Sequence, residues 1–185
     1  MTVANAITLV RLIAAPITAW AVLSGNALLA GSLFALAVIT DLGDGIVARR
    51  RNEVSAFGGL FDHTTDATYV SVVLAAVAFQ SEVPIVLPPL IAAAFVQYVI
   101  DSRAHVGLAL RASQLGRWNG IAYFALAGVP LIRDALSLEW PPATWVYVAG
   151  WVLVATTLLS MLDRATSRRT APDSPVAGTG DRSTR

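Results

Sequence analysis

Long apolar segments follow one another along this chain, with short polar connections between them. Six stretches carry little or no charge, namely 6–23, 27–40, 67–79, 83–100, 116–132 and 143–162. The longest are able, as helices, to cross a bilayer core of roughly 30 Å. We therefore predict an all-α integral membrane protein with six transmembrane helices.

The composition agrees with this pattern. Hydrophobic residues make up 56% of the 185 residues and charged residues 14%, and the mean hydropathy is +0.64. Such values are hard to reconcile with a surface that faces water. The first stretch has no small-x-small cleavage site after a short apolar core, so we expect a retained helix rather than a signal peptide. Cysteine is absent, which excludes disulfides and thiolate metal sites.

The basic residues are unevenly distributed. All 13 are arginine, and in a six-span arrangement all but Arg11 and Arg133 fall on one side. The positive-inside rule makes that side, with both termini, cytoplasmic. The segment 166–185 is polar and rich in small residues, as disordered segments are. We therefore predict a six-helix transmembrane domain at 1–165 and a disordered cytoplasmic tail at 166–185.

Four aspartates lie close together in the stretch 41–66. Asp41 and Asp44 are spaced i, i+3 at the end of the second predicted helix, and Asp62 and Asp66 are spaced i, i+4 at the start of the third. Because the connection is short, the two helices are antiparallel neighbours and the pairs can face each other. The sequence has no lysine, and an arginine would neutralise the cluster only by blocking it. Hard divalent cations, Mg²⁺ or Mn²⁺, fit best, and a pair of them is a common device for phosphoryl transfer.

The residues beside the aspartates suit a phosphate ligand. Gly45 and Ala48 lie on the same helical stripe as the first two aspartates and let a ligand approach the backbone. Arg49 can reach a phosphate with its fork of donors. A calcium-binding loop is excluded, because it would put Leu42 and Arg51 at ligand positions.

The complete pattern is Asp41-x-x-Asp44-Gly45-x-x-Ala48-Arg49, eight further residues, then Gly58-x-x-x-Asp62-x-x-x-Asp66. It resembles the signature of the CDP-alcohol phosphotransferase family, and with the six-helix layout the resemblance covers about residues 1–165. Ala67 departs from the lysine that many relatives carry after the last aspartate.

The resemblance implies a role for each matching residue. Asp41, Asp44 and Asp62 would be ligands of two divalent cations, Mg²⁺ or Mn²⁺, and Asp66 would lie close to the metals and act as the general base. The residues implied to contact the CDP part of the donor are Asn5, Thr8, Gly45, Ala48, Arg49 and Ser55. The first two belong to the motif Asn5-x-x-Thr8-x-x-Arg11, which is similar to the family's first-helix pattern.

Three arginines are candidates for the acceptor site. Arg103, Arg111 and Arg117 are either positive-inside anchors or ligands of an acceptor phosphate. The stretch SQLGRWNG at 113–120 loosely resembles S-x-x-G-K-x-K-T of phosphatidylglycerophosphate synthases, but Asn119 departs from it. His63 and His105 are expected to be interfacial rather than catalytic.

The family implies transfer of a phosphatidyl group from CDP-diacylglycerol to a small alcohol with release of CMP. Glycerol 3-phosphate is the preferred acceptor, which would give phosphatidylglycerophosphate; phosphatidylglycerol, as in cardiolipin synthesis, and inositol phosphate are alternatives. We expect a multi-pass protein of the plasma membrane with its active site facing the cytoplasm, contacts with membrane lipids, a homodimer and no nucleic-acid partner. A divalent-cation transporter and a lipid phosphatase remain rival hypotheses.

Overall fold

Six helices and no strand make up the part of the chain that the structure, a computed structural model, describes: residues 3–50, 55–102 and 114–170. Side chains are described there except at 3–4, 44–50, 56 and 167–170. The helices are α1 (Val3–Leu23), α2 (Ala27–Arg50), α3 (Ala56–Phe79), α4 (Leu87–Asp101), α5 (Gln114–Ala135) and α6 (Ala143–Thr170). The predicted all-α class is confirmed for these residues.

Several helix limits differ from the apolar stretches. Helix α2 continues through the first half of the aspartate motif to Arg50. Helix α4 begins at Leu87, after the start of its apolar stretch, and has prolines in its first turn, where a missing N–H costs no helical hydrogen bond. Helix α6 extends beyond the predicted domain limit at 165 to Thr170. Residues 171–185 of the predicted tail lie outside the described residues.

Among the described residues, two helices are long and apolar enough to cross a membrane by length and composition. They are Asn5–Leu23 in α1 and Ala143–Thr166 in α6. The apolar parts of α2 and α4, Ala27–Gly43 and Leu87–Asp101, are shorter. Two of the six predicted spans therefore meet this test, and the full six-span arrangement stays a prediction.

Helix α1 packs against both α2 and α3, while α5 contacts α2, α3 and α6. The core between them contains the fully buried side chains of Tyr69, Val73 and Leu74 from α3. The ring of Tyr69 packs near Phe34 of α2 and stacks on Phe124 of α5, with centroids 6.4 and 6.2 Å away. Helix α3 thus lies at the centre of the bundle, packed against α1, α4 and α5, while α1 also packs against α2.

Contacts between helix termini define two ends of the bundle. At one end, Gln80 Nε2 donates a hydrogen bond of 2.7 Å to the carbonyl of Val22. Arg133 pairs there with Glu82 at 2.7 Å and with Asp134, and hydrogen bonds to these two carboxylates raise the pKa of Arg133.

The opposite end holds Asp41, Asp62 and Asp66, and we call it the aspartate end. Here Gln97 of α4 donates a hydrogen bond of 3.0 Å to the carbonyl of Met161 of α6. The last turns of α2, α4 and α6 and the first turns of α3 therefore lie together at one end of the molecule, which is where the aspartate motif is found.

Candidate active site

The start of helix α3 is fixed by a serine cap. Ser55 has an extended backbone, with φ −140° and ψ 156°, and its Oγ accepts a hydrogen bond of 3.0 Å from the Gly58 N–H. A short polar side chain at this position satisfies an N–H that the helix itself leaves unpaired. The cap sets the direction of the helix whose next turns carry Asp62 and Asp66.

Gly58 allows the first turn of α3 to approach the start of α1. A Cβ added at Gly58 would lie 3.1 Å from Ser55 Oγ and 3.6 Å from Asn5 Oδ1. Thr8, one turn after Asn5 on α1, is buried, with 3% of its surface exposed. The structure thus brings together Asn5 and Ser55, two of the residues that the resemblance implies for donor binding.

Arg11 of α1 lies at the centre of the aspartates. Its side chain is 0% exposed and it donates hydrogen bonds to Oδ1 of Asp41 and, at 2.7 Å, to Oδ1 of Asp62. Its Nη1 also lies 3.1 Å from Oδ1 of Asp66. Three of the four motif aspartates, one from α2 and two from α3, are therefore gathered around one guanidinium. We call Asp41, Asp62 and Asp66 the aspartate cluster.

Arg11 thus pairs with carboxylates that were expected to be left to divalent cations, because an arginine would neutralise them only by blocking the site. The reason is that α1 contacts both α2 and α3, so a residue of α1 can reach acids on either helix. A signal was present in the sequence, because Arg11 is the one charged residue in the first apolar stretch. Ionisable residues inside membrane segments usually face a partner of opposite charge.

The remaining motif residues on α2 are candidates for binding the metal ions and the donor. Asp44, Gly45, Ala48 and Arg49 lie within α2, and their side chains are outside the described part of the chain. Their spacing of three and four residues from Asp41 and from one another places them near one face of the helix. The backbone is thus compatible with the predicted site.

The donor atoms at the start of α3 fit a metal ion. Asp62, His63 and Asp66 can each offer one ligand atom, and these atoms all lie within 4.8 Å of one another. Asp41 lies near this group, because the Arg11 guanidinium pairs with both Asp41 and Asp62. Carboxylate oxygens suit hard divalent ions, so the residues can hold a divalent cation. His63, expected to be interfacial rather than catalytic, is exposed and belongs to this group.

A cavity of about 630 Å³ opens beside the aspartate cluster, a size typical of small-molecule sites. Its wall is largely apolar and is built from helices α2 to α6. The polar and charged residues that line it include Asp41, His63, Asp66, Arg117, Asn119 and Arg164. Carboxylates and cationic groups thus face one shared space, the carboxylates from α2 and α3 and the arginines from α5 and α6.

Arg164 is a cavity residue that the sequence analysis counted only as a topology signal. Its guanidinium carbon lies 4.6 Å from the ring centroid of Tyr98, a distance typical of a cation–π contact. Nη1 of Arg164 is buried and has no hydrogen-bond partner among the described residues. A buried donor of this kind is available to a ligand.

Of the three arginines predicted to bind the acceptor, Arg117 lies in the described part of the chain. Arg117 lies in the first turn of α5 and lines the cavity. Arg103 and Arg111 lie outside the described residues, as does His105. Asn119, where the sequence departs from the synthase pattern, is buried, with 4% of its surface exposed, and also lines the cavity.

The chain is also similar to known proteins. Residues 1–162 match the family model described as CDP-alcohol phosphatidyltransferase. The chain belongs to this family, and the predicted family and enzyme class are confirmed at that level.

Among individual relatives, the CDP-diacylglycerol--glycerol-3-phosphate 3-phosphatidyltransferase of Escherichia coli (strain K12) is 28% identical over 147 residues, which are 76% of this chain and 78% of the relative. The protein of the same name from Rickettsia felis is 37% identical over 73 residues, 38% of this chain. A cardiolipin synthase (CMP-forming) of Rattus norvegicus is 31% identical over 87 residues, 46% of this chain. The alignments span only 40% of the Rickettsia protein and 29% of the rat protein.

Proposed function

We propose that this protein transfers the phosphatidyl group of CDP-diacylglycerol to the hydroxyl of a small alcohol and releases CMP. The observation that carries the proposal is the aspartate cluster beside a cavity whose wall contains Asp41, Asp66, Arg117 and Arg164. A carboxylate site for cations and an arginine site for anions in one cavity suit a reaction between two phosphorylated substrates. The family and the printed names of the relatives support the same chemistry.

The donor is proposed to bind at the aspartate end. Asp41, Asp44 and Asp62 would hold two divalent cations, Mg²⁺ or Mn²⁺, with Asp66 beside them. These cations would supply positive charge for the pyrophosphate and for the leaving CMP. The residues proposed to contact the CDP part are Asn5, Thr8, Gly45, Ala48, Arg49 and Ser55.

Asp66 is proposed to act as the general base. It lines the cavity, so a hydroxyl bound there can come within reach of its carboxylate. As the acceptor oxygen forms a bond to the β-phosphorus of the donor, its proton passes to Asp66 and the bond from that phosphorus to the CMP oxygen breaks. A positioned base of this kind contributes about 10²- to 10⁴-fold to a rate.

Glycerol 3-phosphate is the preferred acceptor in this proposal. Arg117 and Arg164 both line the cavity, and arginine forks match the oxygens of a phosphate. Arg103 and Arg111 are proposed as further acceptor ligands on the sequence pattern alone. The name of the Escherichia coli relative supports glycerol 3-phosphate. The name of the rat relative favours cardiolipin formation, and thus phosphatidylglycerol, as the second candidate; inositol phosphate shares the phosphate group.

We also propose the membrane arrangement that the sequence predicts. All six helices would span the plasma membrane, with the aspartate end and both termini on the cytoplasmic side. The reacting phosphate of a lipid donor lies at such a boundary, which suits a site at one end of the bundle. Contacts with membrane lipids, a homodimer, and the division into a domain at 1–165 and a tail at 166–185 belong to the same proposal.

Release of CMP by the purified full chain in detergent tests the proposal. The assay contains CDP-diacylglycerol and Mg²⁺ or Mn²⁺, and offers glycerol 3-phosphate, phosphatidylglycerol, inositol phosphate, inositol or serine singly. We expect release that requires one acceptor and that Asp66→Asn lowers by about 10²- to 10⁴-fold. Asp163→Asn is the matched control, because Asp163 is an exposed acid at the same end of the molecule and does not line the cavity.

Other results would point to the rival functions. Release that depends on Asp66 but needs no acceptor would mean a lipid phosphatase. No release with any acceptor, together with flux of Mn²⁺ into vesicles that contain the protein, would mean a cation transporter. Either result would overturn the transferase.

A further inference from the structure

Arg11 makes contacts that neither the donor site nor the acceptor site explains. Helix α1 supplies no carboxylate to the aspartate cluster. Its Arg11 side chain is nevertheless fully buried among the three carboxylates of the cluster. Arg11 contacts Oδ1 of Asp41, Oδ1 of Asp62 and Oδ1 of Asp66. Carboxylate oxygens of the same residues are the atoms that a divalent cation would bind.

The charges explain why a cation is needed at this position. Carboxylates from two helices that are brought close together repel each other, and burial adds a cost for each unpaired charge. A guanidinium carries a permanent charge and a rigid set of donors, so it can serve several carboxylates at once. Arg11 therefore connects α1 to α2 and α3 through the cluster, in addition to the apolar packing.

We propose that Arg11 is a built-in counter-ion of the aspartate cluster. It stabilises the fold when no metal ion is bound, and it competes with divalent cations for the same carboxylates and so weakens their binding. The inference rests on the proposed metal-dependent transfer, since it assumes that the cluster is a cation site.

Two measurements on the full chain in detergent test this role. The first is the affinity for Mn²⁺, measured without lipid substrates from the electron paramagnetic resonance signal of free Mn²⁺. The second is the thermal unfolding midpoint in the presence of a chelator. Arg11→Gln is expected to lower the unfolding midpoint and to tighten Mn²⁺ binding. A unit charge at about 4–6 Å changes the proton affinity of a carboxylate by roughly 10- to 1,000-fold, so we expect Mn²⁺ to bind at least about tenfold more tightly.

Arg133→Gln provides the matched control. Arg133 also pairs with two carboxylates, Glu82 and Asp134, but at the other end of the bundle. This variant is expected to lower the unfolding midpoint and to leave the Mn²⁺ affinity unchanged. Arg11→Lys is the second test variant, because lysine keeps the charge but lacks the fork. It is expected to fold and to tighten Mn²⁺ binding by less than Arg11→Gln does.

A purely structural role for Arg11 predicts a lower unfolding midpoint for Arg11→Gln without tighter Mn²⁺ binding. The counter-ion role predicts both effects. Mn²⁺ affinity that is unchanged or weaker in folded Arg11→Gln, or in Arg11→Lys if the glutamine variant does not fold, would overturn the proposal. A wild-type protein that transfers phosphatidyl groups but binds no Mn²⁺ or Mg²⁺ would overturn it together with the proposed metal site. Mn²⁺ binding that follows the expected pattern in a protein without transferase activity would support Arg11 and contradict the proposed function.

Discussion

At the scale of single residues, opposite charges are divided between the two halves of the cavity wall. Asp41 and Asp66 come from α2 and α3, and Arg117 and Arg164 come from α5 and α6. Tyr98 lies beside the Arg164 guanidinium. The carboxylates and the arginines thus reach one cavity from different helices.

Replacement of Arg164 by glutamine tests the anion-binding part of the cavity. Loss of a charge-assisted hydrogen bond costs about 1.5–3 kcal/mol, so we expect Arg164→Gln to raise the KM for glycerol 3-phosphate by about tenfold or more. The KM for CDP-diacylglycerol should change much less. Steady-state kinetics with each substrate varied in turn provides the measurement.

Arg133→Gln, at the opposite end of the bundle, serves as the control for Arg164→Gln and should leave both KM values as in the wild type. If Arg164→Gln raised the two KM values equally, or neither of them, Arg164 would not be an acceptor ligand.

At the scale of elements, the close approach of α2 to α5 depends on a glycine. A Cβ added at Gly31 would lie 2.5 Å from the Cβ of Ala135 and 3.1 Å from the carbonyl oxygen of Leu131. In the described part of the chain, and leaving aside the helix's own adjoining backbone, no atom lies within 4 Å of a Cβ added at Gly43, further along the same helix. The packing of α2 against α5 thus requires Gly31 but not Gly43.

Substitution by alanine is expected to change the stability differently at Gly31 and at Gly43. Gly31→Ala forces α2 and α5 apart and should lower the stability by about 1–3 kcal/mol, as overpacking does. Gly43→Ala should leave the stability unchanged or raise it by up to about 1 kcal/mol, because alanine favours the helix. Thermal unfolding of the full chain in detergent compares them. Equal unfolding midpoints for the two variants would contradict the packing seen between α2 and α5.

At the scale of the whole molecule, the helix termini form two chemically different ends. One end holds the aspartate cluster and the cavity arginines, and the other holds the Arg133 ion pairs. In the proposed arrangement the first end faces the cytoplasm, where glycerol 3-phosphate and the released CMP are soluble.

The absence of cysteine makes the orientation easy to measure, because every introduced thiol is the only one in the chain. Ser24, Ser137 and Ala165 are exposed. We expect Ser24→Cys and Ser137→Cys to react with a membrane-impermeant maleimide in intact cells. Ala165→Cys, near the aspartate end, should react only after permeabilisation. The reverse labelling pattern would place the active site outside the cytoplasm.

Much of the site could be predicted because the information is local in the chain. The spacing of Asp41 and Asp44, and of Asp62 and Asp66, is helical, so each pair lies on one helix face wherever the helix packs. The motif also identified the family, which the match over residues 1–162 confirms. The Ser55 cap acts within its own turn, although the sequence analysis assigned Ser55 only to the donor site.

The sequence by itself determined the helical class, the aspartate motif and the family, because composition, helical spacing and fixed motif positions depend only on neighbouring residues. The tertiary structure alone decided which charges meet. Arg11 is separated from Asp41 by 30 residues and from Asp62 by 51, and Arg164 reaches the same cavity from the last helix. Such contacts depend on which helices pack together and at what rotation, and the uniformly apolar surfaces of these helices leave both undetermined until the whole bundle forms.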